Sequence, residues 1–219
     1  MKRLLLSLMF TYLLLIGGSV WADDVLDPAI IELQHEWAKA NYNTPANAQE
    51  AAFKSLSTKA AEVAEVSPDQ AEAKIWHAII LSGYAKVISG WAKLNALKLV
   101  DQSKTLLLES IALNPNALHG SAYTSLGSLY YKVPVWPISF GDKDKAKEYL
   151  EKSLEMNSKG IDSNYFYADF LYEQGRYARA VEYFERAITA PARPGREDAD
   201  QGRRKEAKEG LLKAKQKLN

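Results

Sequence analysis

Apolar residues recur at helical spacing along most of this chain, most sharply between Asp162 and Pro191, DSNYFYADFLYEQGRYARAVEYFERAITAP. Ala180, Phe184, Ala187 and Ile188 stand at i, i+4, i+7 and i+8, one stripe of a 3.6-residue period with polar positions between. Small residues in that stripe admit a neighbouring helix, and Phe184 fills the space beside them. Gln174-Gly175-Arg176 interrupts the pattern, and Gly175 suits the left-handed residue that ends many helices. Upstream, Ala146, Leu150, Ser153 and Leu154 repeat the small and large alternation, and Ser103, Leu107, Ser110 and Ile111 repeat it again.

Helix starts are signalled by cap residues next to proline. Asp27-Pro28, Thr44-Pro45, Ser67-Pro68-Asp69-Gln70 (read as a capping box) and Asn114-Pro115 each predict one. Ile30, Leu33 and Trp37 form the first buried stripe, Phe53, Leu56 and Ala60 the second, and Trp76, Ile79, Ile80 and Gly83 the third. No convincing strand period intervenes. The pattern predicts an all-α chain of roughly nine helices, four antiparallel pairs and a terminal one. Two insertions interrupt it, KVISGWAKLNALKL between Ala85 and Leu99 and KVPVWPISFG between Tyr131 and Asp142. The second is rich in aromatic residues and proline, and reads either as a binding lip or as a loop packed on its own side chains.

The pair 162–191 resembles the tetratricopeptide repeat, a helix–turn–helix unit of about 34 residues. Ala146 precedes Ala180 by one such period, and Tyr123, Leu126, Gly127 and Tyr130 match the first-helix pattern of aromatic, Leu, Gly and aromatic. The resemblance implies an α-solenoid of stacked antiparallel helix pairs. The chain then divides into a leader at 1–22, an N-terminal helix pair at 23–66, repeats at 67–191, and a linker with a C-terminal capping helix at 192–219. In that last helix Ala207, Leu211, Ala214 and Leu218 return at helical spacing amid charged residues. A cap suits this narrow stripe better than a membrane-surface helix.

Composition changes the picture at the N-terminus. Lys2 and Arg3 precede the apolar run Leu4 to Ile16, and Val20 and Ala22 occupy the small-residue positions of a secretory cleavage site. Cleavage after Ala22 and a periplasmic address are expected, with secretion to the medium as the runner-up. No stable membrane insertion is expected after cleavage. The sequence holds 28 Lys and Arg against 27 Asp and Glu, so no basic surface points to nucleic acid. It has no cysteine, which removes disulfides, thiolate chemistry and a cysteine-borne lipid.

Catalytic patterns are not found. His35, His77 and His119 lie on separate predicted elements with no ligand spacing, and there is no nucleophile elbow, phosphate loop or dinucleotide fingerprint. Asp169 and Glu173 share a helix face, which a solvated surface explains as well as a reaction does. The chain reads as a non-enzyme without cofactor or metal. In the repeat register, the concave side holds Lys74, His77 and Tyr84, then Thr124, Ser128, Tyr131 and Lys132, then Tyr165, Asp169, Tyr172 and Glu173, with Trp136 at the lip. That aromatic and polar mixture suits a protein or peptide partner, or a small molecule if the groove is enclosed.

YYKVPVWPISFGDKDKAKEYLEKSLEMN together with NYFYADFLYEQGRYARAVEYFERA is also similar to the periplasmic T-components of tripartite ATP-independent transporters. That likeness implies a substrate-binding protein as partner.

Overall fold

The computed structural model describes residues 26–90 and 95–219. Nine α-helices follow one another there: α1 (Pro28–Ala38), α2 (Ala46–Val66), α3 (Ala71–Val87), α4 (Ala96–Leu113), α5 (Ser121–Lys132), α6 (Lys143–Met156), α7 (Ile161–Glu173), α8 (Tyr177–Thr189) and α9 (Glu197–Gln216). A π-helical turn, Lys39–Asn43, prolongs α1, and a 3-10 turn, Ala117–Gly120, precedes α5. The described residues contain no strand, only an isolated bridge between Val135 and Gly141. The expected leader, residues 1–22, lies outside the described residues.

The apolar stripes form the helix–helix seams. Ser103 and Leu107 of α4, Ala146, Leu150 and Ser153 of α6, and Ala180, Phe184 and Ala187 of α8 are all buried. Burying a side chain of the size of Phe184 or Leu150 is worth about 1.5–3 kcal/mol, so each seam carries stability without any charged contact. Two cores result. One runs from α3 to α9 through Ile75, Leu107, Leu126, Leu150, Leu171 and Phe184. The other joins Ile30, Leu33, Trp37, Phe53 and Trp76 to Ala199 of α9.

That last contact reveals the layering. Consecutive odd-numbered helices touch one another from α1 to α9, and even-numbered helices pack on the odd ones beside them. The odd helices are therefore the inner layer of an α-solenoid. Because α9 also touches α1 and its π-helical extension, the inner layer closes into a circuit. The capping helix caps both ends of the stack.

Between α7 and α8 the chain turns as anticipated. Gly175 has φ 72°, Arg176 N donates to Leu171 O at 2.8 Å and Gly175 N to Tyr172 O at 3.0 Å, which makes this a Schellman motif. Asp27 caps α1 by accepting from Ala29 N at 2.8 Å. The other proline-linked starts need correction. Thr44 Oγ1 donates to Lys39 O at 2.9 Å, closing the π-helical turn instead of capping α2. Ser67 ends α2, and Gln70 opens α3 without a side-chain cap, so no capping box forms. Asn114 ends α4, and α5 starts only at Ser121, after Leu118, His119 and Gly120 have passed through left-handed conformations. In each case the proline-bearing connection is used to turn the chain before the next helix begins.

Candidate functional site

On the inner layer the expected groove residues separate into those that meet and those that do not. α5 and α7 lie side by side and bring Ser128, Tyr131 and Lys132 against Tyr165, Asp169 and Glu173. The Tyr131 hydroxyl donates to Asp169 Oδ2 at 2.6 Å. Lys132 Nζ lies 2.8 Å from the same carboxylate and 3.7 Å from Glu173. Burial, then the charge of Asp169, raises the Tyr131 phenol well above its ordinary range, so it stays a neutral donor. Asp169 thus accepts from a phenol and an ammonium at once, leaving Lys132 and Glu173 half open to water. This arrangement offers hydrogen bonds and both charge signs beside aromatic rings.

The remaining expected residues have other surroundings. Thr124 is buried in the α5–α6 seam, its hydroxyl 2.5 Å from that of Ser153. Lys74 reaches Glu109 of α4 at 2.8 Å. His77 is buried, and burial followed by the nearby Lys74 lowers its basicity. Tyr84 packs on the N-terminal core, and Tyr172 lies against Tyr177 of α8 with ring centroids 5.4 Å apart. Trp136 sits on the loop after α5, 83% exposed.

A second constellation adjoins the first through Tyr165. Asp162 of α7 receives Arg193 Nη1 at 2.7 Å and Arg203 Nε at 2.7 Å. Asp200 receives Arg193 through both its backbone N at 2.8 Å and Nε at 2.7 Å. The Arg203 guanidinium also contacts Glu206 at 2.5 Å and lies 4.5 Å from the Tyr165 ring centre. Burial opposes ionisation of Asp162, but the charges of Arg193 and Arg203 outweigh it and hold the carboxyl far below its usual range. From α1, His35 Nε2 stands 2.9 Å from Gly195 O, and the Tyr42 hydroxyl donates to Glu206 at 3.1 Å. Arg196 lies 4.9 Å from the Trp76 ring centre; burial, then repulsion from Arg193, lowers it to about 10.

This clasp is what joins α9 to the first helices, and helical periodicity does not reveal it. The buried residues of the first half of α9 are Ala199, Asp200, Gly202 and Arg203, two of them charged and none a large apolar side chain. Of the anticipated stripe, Ala207 and Ala214 are buried while Leu218 is 53% exposed beyond the helix end. The available signal was the density of Arg and Asp in RPGREDADQGRR, which by composition alone is a solvated stretch.

Among the described residues no group of three or more His, Asp or Glu side chains is placed to hold a metal ion. None of the described helices is long and apolar enough to cross a membrane.

A family model described as tetratricopeptide repeat matches residues 138–159 and 161–193. The two stretches coincide with α6 and its preceding loop, and with the α7–α8 pair. No curated protein matches the chain. The looser likeness to transporter T-components gains no support from either comparison.

Proposed function

We propose that this tetratricopeptide-repeat chain is an exported, non-catalytic scaffold that takes a protein or peptide partner on its inner face. Such repeats suggest a protein-interaction scaffold, because stacked helix pairs present an extended concave surface with no chemistry of their own. One observation carries the choice of site. Tyr131, Lys132, Asp169 and Glu173 form a connected polar patch on the inner helices α5 and α7 instead of an apolar seam. A peptide laid along this patch exchanges the half-exposed Lys132–Glu173 contact for hydrogen bonds to its own backbone and termini, and Tyr131 gives it a flat face. Export follows from the N-terminal pattern of Lys2, Arg3 and the Val20–Ala22 cleavage signal.

The test is site-specific photo-crosslinking in the source cell. A photoreactive residue at Glu173, on the inner side, should yield discrete protein adducts, and one at Lys152 on α6 should not. Adducts from position 152 alone, or identical adducts from both, overturn the assignment. The address is tested separately. Ala22→Arg should leave the chain unprocessed, and normal processing of that variant would place the cleavage site elsewhere.

A further inference from the structure

The loop between α5 and α6 is held firmly at its base and apolar at its tip. Gly141 N donates to Pro134 O at 2.9 Å, Asp142 N to Tyr130 O at 2.9 Å and Ile138 N to Val135 O at 3.1 Å. Phe140 turns inward, edge-on to Tyr130 at 5.3 Å, with Lys104 Nζ 4.0 Å above its ring centre. Asp142 turns its carboxylate onto the N-terminus of α6, accepting from Asp144 N and Lys145 N at 3.0 Å. Residues 134–138, Pro-Val-Trp-Pro-Ile, all face solvent, with Val135 60%, Trp136 83% and Ile138 66% exposed. The two readings of this loop from sequence therefore belong to different side chains: Phe140 packs on the body and Trp136 projects from it.

Exposing that tip is costly unless something covers it. A stable protein interface takes about 800 Å² from each partner, some 20–30 residues, and here five apolar residues are bounded at once by Lys132 and Lys143. A second copy pressed tip to tip meets the same shortfall. The tip is the right size, however, for the boundary between headgroups and acyl chains, where tryptophan concentrates. Lys104 and Lys145, the latter 5.6 Å from the Tyr130 ring centre, stand with the exposed Lys143 around the base and supply cations for anionic headgroups. We infer that residues 134–138 are a peripheral docking tip for an anionic phospholipid surface, with Trp136 entering the headgroup zone. The inference is independent of what the inner face binds.

The full chain is mixed with vesicles of phosphatidylglycerol and phosphatidylcholine in which the lipid tails are brominated. Quenching due to Trp136 is isolated by subtracting the signal of a Trp136→Phe chain, which removes the contribution of every other tryptophan and of the N-terminus. The expected result is lipid-dependent quenching of Trp136. Ile138→Asp should require at least about fivefold more lipid for the half-maximal effect. Lys143→Glu with Lys145→Glu should weaken it only when phosphatidylglycerol is present. Absence of Trp136 quenching overturns the inference, as does equal lipid dependence in the Ile138→Asp chain. A Trp136 emission shift that follows protein concentration without lipid also overturns it, assigning the tip to contacts between copies.

Discussion

Helices α6 to α8 and the segment from Arg193 to Glu206 both pack on the same solenoid, yet they are held by opposite means. In α6 and α8 the contacts are Ala146, Leu150, Ala180, Phe184 and Ala187, each essentially without exposure. In the clasp they are Asp162, Arg193, Asp200 and Arg203. The apolar seam depends on volume and tolerates any polar pattern outside it. The clasp depends on each charge having its partner, since an uncompensated buried charge costs more than the pair itself contributes. The seams stack one repeat on the next, a local operation that can be continued indefinitely. The clasp ties α9 and the connection before it to α7, while His35 and Tyr42 reach Gly195 and Glu206 from the first helix and its extension, and the stack ends there.

The sharpest break in that comparison is to hollow a seam. Phe184→Ala should lower the unfolding free energy by about 3–5 kcal/mol in urea titration, because the ring is 1% exposed and its neighbours cannot fully collapse into the space. Next comes the clasp. Asp162→Asn should cost about 2 kcal/mol at neutral pH, below the full value for a buried pair because Asp162 keeps 32% side-chain exposure. The sign with pH is fixed by the depressed native carboxyl. Its contribution is complete above the ordinary carboxylate value of 3.8 and is lost as pH falls from there toward the lower native value. The wild-type advantage over Asp162→Asn should therefore shrink below about pH 4, while the deficit of Phe184→Ala should not follow that titration. A variant gap that stays constant down to pH 2 would show that Asp162 acts by packing alone.

Gly202→Ala probes closure itself. A Cβ there would stand 2.4 Å from the Tyr42 ring, so α9 or the π-helical turn must move. A loss of about 1–3 kcal/mol is expected, with amide exchange quickening in α1 and α9 before α6. Uniform quickening across all helices would mean that closure and stacking are one cooperative unit. The smallest effect belongs to the outer surface. Arg186 pairs with Glu182 one helical turn away on α8, and Arg186→Ala should change stability by no more than about 0.5 kcal/mol, an amount that salt screens.

Among the residues expected on the inner face, repeat register brings some side by side and leaves the surroundings of others open. Tyr131 and Lys132 each stand four positions after Gly127 and Ser128 respectively on α5, and their meeting with Asp169 and Glu173 follows from α5 and α7 being alternate helices of the stack. Register could not settle the fates of Thr124 and Tyr172. Both sit at a layer boundary, where a small rotation of the helix decides between Ser153 or Tyr177 and the open face.

By itself the sequence determined the helices and the solenoid, because hydrophobic periodicity and the small residues that permit close approach are local properties of the chain. It also specified the turn at Gly175, whose left-handed backbone is a property of one residue. Only the tertiary structure decided that Arg193 and the buried Arg203 converge on Asp162, that Tyr42 meets Gly202, and that Phe140 is covered while Trp136 is left outside. Charges carry no period. Whether an arginine is solvated or clasped depends on a carboxylate that the chain delivers from another helix, here Asp162, and that delivery is settled only when α9 packs back against α7.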